Sequence, residues 1–392
     1  MLFLCNHRLL LASAVHILYI SHMAEAFEAV PNGQLITDIE PILTQLTRIL
    51  DTKRMYNRHV APRVKGHKML VRVGVNIQTI NAVDEISREM HMNLFVRLAW
   101  IDHRLKWYSA NETNYIVAGG DISDKLWVPD IFFPNERLGI KHTVTQNNVN
   151  LRFYPNGQIF LIVRYSLILA CDMAFELFPF DTQVCILHLE SIKYTHDFME
   201  LKWMYADYDI DPVYVKLAKF DLVDKQLNDD CNRSYPIGIF NCLELKFFFK
   251  RQLGYHFVET YLPCILIVFA SWISFWLDPK SAPARTSLGV TSLLTIFGHG
   301  NHVKASLPPV SVLKAIDIWI MVCEFYVFAT LVEFILANWM ARKESLHHYR
   351  RHRNIDQMSR KLFPVTFIVF CLLYSFYYIQ VKGNYYDIVR IK

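Results

Sequence analysis

Two uncharged runs of membrane-spanning length constrain this chain more than any other feature. Thr260 to Leu277 holds 18 residues and Leu362 to Val381 holds 20, and at about 1.5 Å per residue each covers most of a hydrocarbon core about 30 Å thick. Two weaker runs accompany them. Thr286 to Val303 carries no formal charge but is rich in hydroxyls, and Ile318 to Ala341 contains Glu324 and Glu333. A helix that tolerates hydroxyls or carboxyls at membrane depth faces water or protein rather than lipid. The pattern predicts a four-helix transmembrane region over 255–381, with spans at about 256–277, 284–303, 315–339 and 362–381.

Four spans put both termini on one side. Arg8 precedes an apolar stretch from Leu9 to Ile20, and Ala24-Glu-Ala26 offers a small-x-small cleavage site, so 1–26 is expected to be a signal peptide. The connection 340–361 carries Arg342, Lys343, Arg350, Arg351, Arg353, Arg360 and Lys361 against Glu344 and Asp356. The positive-inside rule makes it a short cytoplasmic loop. Residues 27–254 and the tail 382–392 then lie outside, at a plasma membrane crossed several times, with both termini extracellular. The sequons at Asn111 and Asn232 fall in this outer segment as candidate glycosylation sites.

The outer segment reads as strands. Met92, Leu94, Val96, Leu98 and Trp100 alternate with Asn93, Phe95, Arg97 and Ala99; Leu243, Leu245, Phe247 and Phe249 alternate with Glu244, Lys246, Phe248 and Lys250. This is the period-two pattern of half-buried strands, and over 228 residues it argues for an all-β, immunoglobulin-like sandwich ahead of the helices, an α+β membrane protein. Cys171, Cys185, Cys231 and Cys242 are the cysteines of this segment. Four allow three pairings. The sequential one closes two short loops and is the one expected, disulfides being favoured over metal in an oxidising exterior. There is no CxxC or HExxH spacing for zinc, no GxSxG or P-loop, and with 41 basic against 36 acidic residues no broad basic surface for nucleic acid. No cofactor, metal or enzymatic activity is expected.

Thirteen residues separate Cys171 from Cys185, with Phe178-Pro-Phe-Asp181 between them. This loop resembles the signature of the Cys-loop receptors, the pentameric ligand-gated ion channels. Trp127-Val-Pro-Asp130, Trp272-Ile-Ser-Phe-Trp276, Pro283-Ala-Arg285 and Lys314-Ala-Ile-Asp-Ile-Trp319 extend the likeness over about residues 40 to 380. The second cysteine pair and Ala305-Ser-Leu-Pro-Pro-Val310 are most similar to glycine receptors and invertebrate glutamate-gated chloride channels. The resemblance implies a homo- or hetero-pentamer, four further identical or homologous subunits around each chain, at a postsynaptic membrane. It also implies a small transmitter as ligand and chloride as the permeating ion.

Ser287, Thr291, Leu294 and Gly298 share one helical face. Together with Pro283 and Ala284 at its inner end, that face is expected to line the pore, with a leucine girdle midway that gates by dewetting. Arg285 is expected to ring the inner mouth. Five such charges about 6 Å from an ion in water-like dielectric contribute on the order of 3 kcal/mol before screening, which favours anions. By resemblance, Glu85, Asp181, Arg251 and Lys314 meet where the two halves join and couple them. Arg97 matches the arginine that grips a ligand carboxylate, with Arg164 nearby, and Tyr235 and Phe240 match aromatics of the loop that caps the ligand. Ile192, Ile162 and Ile237 stand where an aromatic and two hydroxyls are usual, and Gln78 lies near a second ligand arginine. Glutamate or a related transmitter is expected, with an amine, acetylcholine or a subunit that binds only beside a partner as alternatives.

Overall fold

The computed structural model describes residues 44, 47–51, 56–62, 66–108, 115–204, 217–278, 281–307, 309–341 and 346–391. The expected signal peptide and Asn111 lie outside the described residues.

Among the described residues, eleven strands precede four long helices. A seven-stranded sheet holds β1 (Met69–Asp84), β2 (Glu89–Ile101), β3 (Ile116–Ala118), β5 (Glu136–Lys141), β6 (Val149–Phe153), β7 (Gln158–Ala170) and β9 (Met199–Trp203), in the order β3-β6-β7-β2-β1-β9 with β5 also on β7. A four-stranded sheet runs β10-β11-β8-β4, from β4 (Ile131–Phe132), β8 (Thr182–Ser191), β10 (Phe220–Tyr235) and β11 (Gly238–Arg251). Alternation decides what each face does. Met92, Leu94, Val96, Leu98 and Trp100 of β2 are buried, as are Leu243, Leu245, Phe247 and Phe249 of β11, so the inward faces of both sheets form one apolar core. Phe248, placed by its phase on the polar face, is buried as well. The Cys171–Cys185 disulfide ties the end of β7 to β8 and so joins the two sheets, while Cys231–Cys242 bridges directly paired positions of the β10–β11 hairpin.

The helices are α1 (Leu253–Trp276), α2 (Ala282–Ala305), α3 (Ala315–Ala341) and α4 (Leu346–Ile391). Within α1 the turn Phe257–Tyr261 is π-helical and the last turn, Ile273–Trp276, is 3-10. Among the described residues, segments of α1, α3 and α4 are long and apolar enough to cross a membrane; α2, rich in hydroxyls and glycine, is not among them. It packs beside α3, where the bare Cα of Gly289 leaves room for Leu331 and that of Gly300 for Glu324 and Ile320.

Two expectations are corrected here. Most of the segment read as a cytoplasmic loop over 340–361 is helix, because α4 begins at Leu346 instead of 362. The tail from 382 is also helical, through Ile391. Charge patterning marked polar flanks on the last apolar run, but Lys, Arg and Gln are good helix formers, so the helix runs through them.

Candidate functional site

The first candidate element is the face of α2. Pro283, Ala284, Ser287, Thr291, Leu294 and Gly298 are all exposed, whereas Gly289, Ser292, Ile296, Gly300 and Val303 are buried against the other helices. Thr291 donates to the Ser287 carbonyl at 2.7 Å and Thr295 to that of Thr291 at 2.7 Å. Leu294 is 66% exposed in the single chain. A helix bundle that leaves a leucine and hydroxyls bare on one stripe, while burying Gly289 and Gly300, has an amphipathic face awaiting water or further protein.

Arg285 does not share that face. Its side chain is fully buried and its guanidinium donates to Asp356 of α4, at 2.9 and 3.3 Å, and to the Leu277 carbonyl at the end of α1, at 3.0 Å from Nε. The expectation of a guanidinium ring projecting into the passage is therefore corrected. Ser287 lies two positions on, about 200° around a helix, and a buried guanidinium without a carboxylate partner would cost several kcal/mol. The side chain turns inward to Asp356, which the sequence offers 71 residues away.

Where strands meet helices, Arg251 closes a second buried network. It donates to Asp181 at 2.6 and 2.9 Å and to Glu85, and its guanidinium lies over the rings of Phe178, at 4.4 Å, and Phe220, at 4.5 Å. Burial is the largest influence on its pKa and pulls it down, but the hydrogen bonds and charges of Asp181 and Glu85 outweigh it and hold the guanidinium more basic than usual. Lys219 adds a 3.0 Å contact to Glu85. Lys314, expected in this cluster, instead pairs with Asp317 of α3 at 3.1 Å from its place just before that helix.

The actual link from the disulfide loop to α3 is through backbone. The amides of Ala315 and Ile316 donate to the carbonyls of Glu176 and Phe178 at 3.1 Å each, so the loop satisfies donors that a helix start otherwise leaves unmet. Phe180 packs among Tyr261 of α1 and Tyr374 and Tyr378 of α4, and is stacked on Tyr378 at 5.6 Å.

The residues expected to bind a ligand divide between the sheets. Arg97 on β2 is opposite Ile162, and Arg164 on β7 is opposite Phe95, so the two arginines are diagonal cross-strand neighbours, about 7–8 Å apart. The Arg164 Nε is buried without a hydrogen-bond partner. Tyr235 and Phe240 belong to the β10–β11 hairpin of the other sheet, with rings T-shaped at 5.6 Å; Tyr235 is exposed and Phe240 is buried beneath it. Ile192 and Ile237 are both well exposed near this hairpin.

Two matches then decide the family. Residues 43–253 match the neurotransmitter-gated ion-channel ligand binding domain, and residues 260–354 match the neurotransmitter-gated ion-channel transmembrane region. The chain belongs to the neurotransmitter-gated ion channels. Among curated proteins it is similar to a glutamate-gated chloride channel of Drosophila melanogaster, 37% identical over 302 residues, which covers 74% of this chain and 65% of that protein. The strands and the disulfide loop described above fall in the first matched region, and α1, α2 and α3 lie largely in the second.

In this member of the neurotransmitter-gated ion channels, the polar floor under the β10–β11 hairpin is the part that sequence reading missed. Glu190 of β8 accepts from the Tyr235 hydroxyl at 3.3 Å and has Arg233 at 4.0 Å. Burial pushes its carboxyl above the ordinary value, against the pull of Tyr235 and Arg233. His188, two residues earlier on the same face, meets Arg233 at 3.1 Å and Glu244 at 3.3 Å. Burial and the Arg233 charge hold its imidazole below the ordinary range, with Glu244 pulling the other way. The signal was present as polar residues at alternate positions 188, 190 and 244, 246 on paired strands, which period-two reading assigns to a solvated face.

Proposed function

We propose that this chain is a subunit of a transmitter-gated anion channel in which several copies, or copies and homologues, surround a passage lined by α2. The exposed stripe of Pro283, Ala284, Ser287, Thr291, Leu294 and Gly298 carries this reading. On one chain it is a bare, hydroxyl-bearing face; repeated around an axis it becomes a wet pore with a leucine girdle. Anion preference then comes from the positive end of the α2 dipole at Pro283 and Ala284, with the Arg285 charge held one layer back by Asp356.

The ligand is small and binds between subunits, because the arginines and the aromatic hairpin lie on different sheets of one chain. An amino acid fits both halves. Its carboxylate suits Arg97 and Arg164, and its ammonium suits the buried Glu190 carboxyl beside Tyr235. Glutamate is the reading favoured by the relative's name. The same Glu190 supports an amine as the second reading, since a carboxylate and an aromatic hydroxyl recognise a cation without any arginine. The tail and strands lie outside the cell and the Arg342–Lys361 connection inside, at a postsynaptic membrane, with Asn111 and Asn232 available to glycans.

Expression in oocytes, alone and with related subunits, tests both parts. Glutamate, glycine, acetylcholine and biogenic amines are applied in turn, and the reversal potential is followed as chloride is replaced by a large anion. A reversal potential that tracks chloride supports the reading; one that tracks sodium refutes it.

A further inference from the structure

The far end of the sandwich holds a feature that neither the pore nor the ligand site uses. β1 has 16 residues, so at about 3.3 Å per residue its start lies roughly 50 Å from the Asp84 end that meets the helices. At that start is a half-open cavity of about 490 Å³, within the range of small-molecule sites.

Its wall is divided by chemistry. Lys68 and Arg72, with His67 and His103, supply the polar edge, and no carboxylate is among its lining residues. Leu70 and Ile101 supply an exposed apolar floor. Among the described residues, the side chains of His67, Lys68, Arg72 and His103 have no hydrogen-bond or ion-pair partner. Among the described residues, acids at neighbouring chain and register positions are engaged: Asp102, between Ile101 and His103, is buried and paired with Arg104 at 2.7 Å, and Glu200, beside Leu70, and Asp229 meet Lys202 at 3.6 and 3.8 Å. Positive charge around this apolar hollow is thus, among the described residues, without a paired acid, the arrangement that concentrates counter-ions in a cleft.

We propose that this cavity binds a small amphipathic organic anion, a carboxylate, sulfonate or sulfate ester on an apolar body. Arg72 and Lys68 take the charged head, and Leu70 and Ile101 take the body. The site shares no residue with Arg97, Arg164, Tyr235 or Phe240, so it stands or falls separately from the transmitter reading.

The test uses Ile101→Cys in the full-length receptor at the cell surface. Labelling is read as loss of later biotinylation, with surface arrival measured in parallel. The native free thiols among the described residues, Cys264, Cys323 and Cys371, are buried or half-buried within helices and provide the background from the unsubstituted chain. A sulfonate-bearing methanethiosulfonate should react faster than a trimethylammonium-bearing one by about tenfold, after correction for their ratio on a free thiol.

Naphthalene-2-sulfonate should slow labelling saturably, and naphthalene-2-methanol and sodium sulfate should do so far less. Arg72→Gln combined with Lys68→Gln should abolish both the preference and the protection. Equal rates for the two reagents, no protection, equal protection by the neutral alcohol or by sulfate, or a thiol that neither reagent reaches would each overturn the proposal.

Discussion

Two fully buried arginines hold this chain together, and they do it differently. Arg251 sits between two carboxylates and two aromatic rings where the strands meet the helices. Arg285 has one carboxylate and one carbonyl at the opposite end of the bundle. The first joins three segments far apart in sequence, 70 and 166 residues away; the second bolts the foot of α2 to α4 and to the end of α1. A buried arginine is defined by its partners. Arg251 lies between two carboxylates and is a rigid hub, while Arg285 hydrogen-bonds one carboxylate, Asp356, with the buried Glu333 of α3 close to both, and is a pin at the foot of α2.

Breaking the hub should have the largest effect. Arg251→Gln leaves Asp181 buried without its cation and Glu85 with only the half-exposed Lys219, at a cost of about 3–5 kcal/mol, and surface expression should be lost. Adding Glu85→Gln and Asp181→Asn should recover expression, though not normal gating; a single substitution that reaches the surface at wild-type levels would show the hub to be dispensable. Next comes the pin. Asp356→Asn leaves the Arg285 guanidinium charged and half-satisfied, so thermal stability of the detergent-solubilised protein should drop by the equivalent of about 2–3 kcal/mol, less than at the hub.

A third outcome separates the pin from the pore. Ala284→Glu places a carboxylate on the exposed stripe and should lower the chloride-to-sodium permeability ratio by at least about tenfold. Arg285→Gln with Asp356→Asn should change that ratio by no more than about threefold, because only the inward face is altered. The reverse ranking would return Arg285 to the passage.

The smallest effect belongs to a third, less buried arginine, Arg233, whose side chain is 34% exposed and which has a titratable partner. His188 has a depressed pKa, so the docked hairpin prefers the neutral ring. As pH falls through the ordinary value of 6.5, the lifted or unfolded hairpin takes up a proton that the docked one resists, and docking weakens. Agonist sensitivity should fall by about threefold towards pH 5.5, and His188→Gln should flatten the profile in concentration–response measurements.

Much of this was legible in the chain itself. Alternation gave β2 and β11, and Ser287, Thr291, Leu294 and Gly298 at spacings of four, three and four marked the bare stripe of α2. The short loops between sequential cysteines matched the bridges that form. What was not legible depended on which way a side chain turns. Arg285 and Ser287 are two residues apart and read as neighbours at one mouth, yet the partner that turns Arg285 inward, Asp356, was counted only as charge in a loop. Lys314 lies beside the junction, one residue before Ala315, but its side chain pairs with Asp317 of α3 and not with the Arg251 cluster. The backbone bonds from Ala315 and Ile316 to the disulfide loop carry no side-chain signature at all.

The 46-residue helix α4 is about 70 Å long, more than twice the thickness of a hydrocarbon core. Near its inner end Asp356 grips Arg285, and some 22 residues later Tyr378 stacks on Phe180 of the disulfide loop. Val365, Ile368, Leu372 and Phe376 between them are bare to the outside of the chain. One peripheral rod therefore touches both the pin and the hub's neighbouring loop while presenting its flank to lipid. Because one helix carries both contacts, any tilt of α4 would load the Arg285–Asp356 pair and the disulfide loop together.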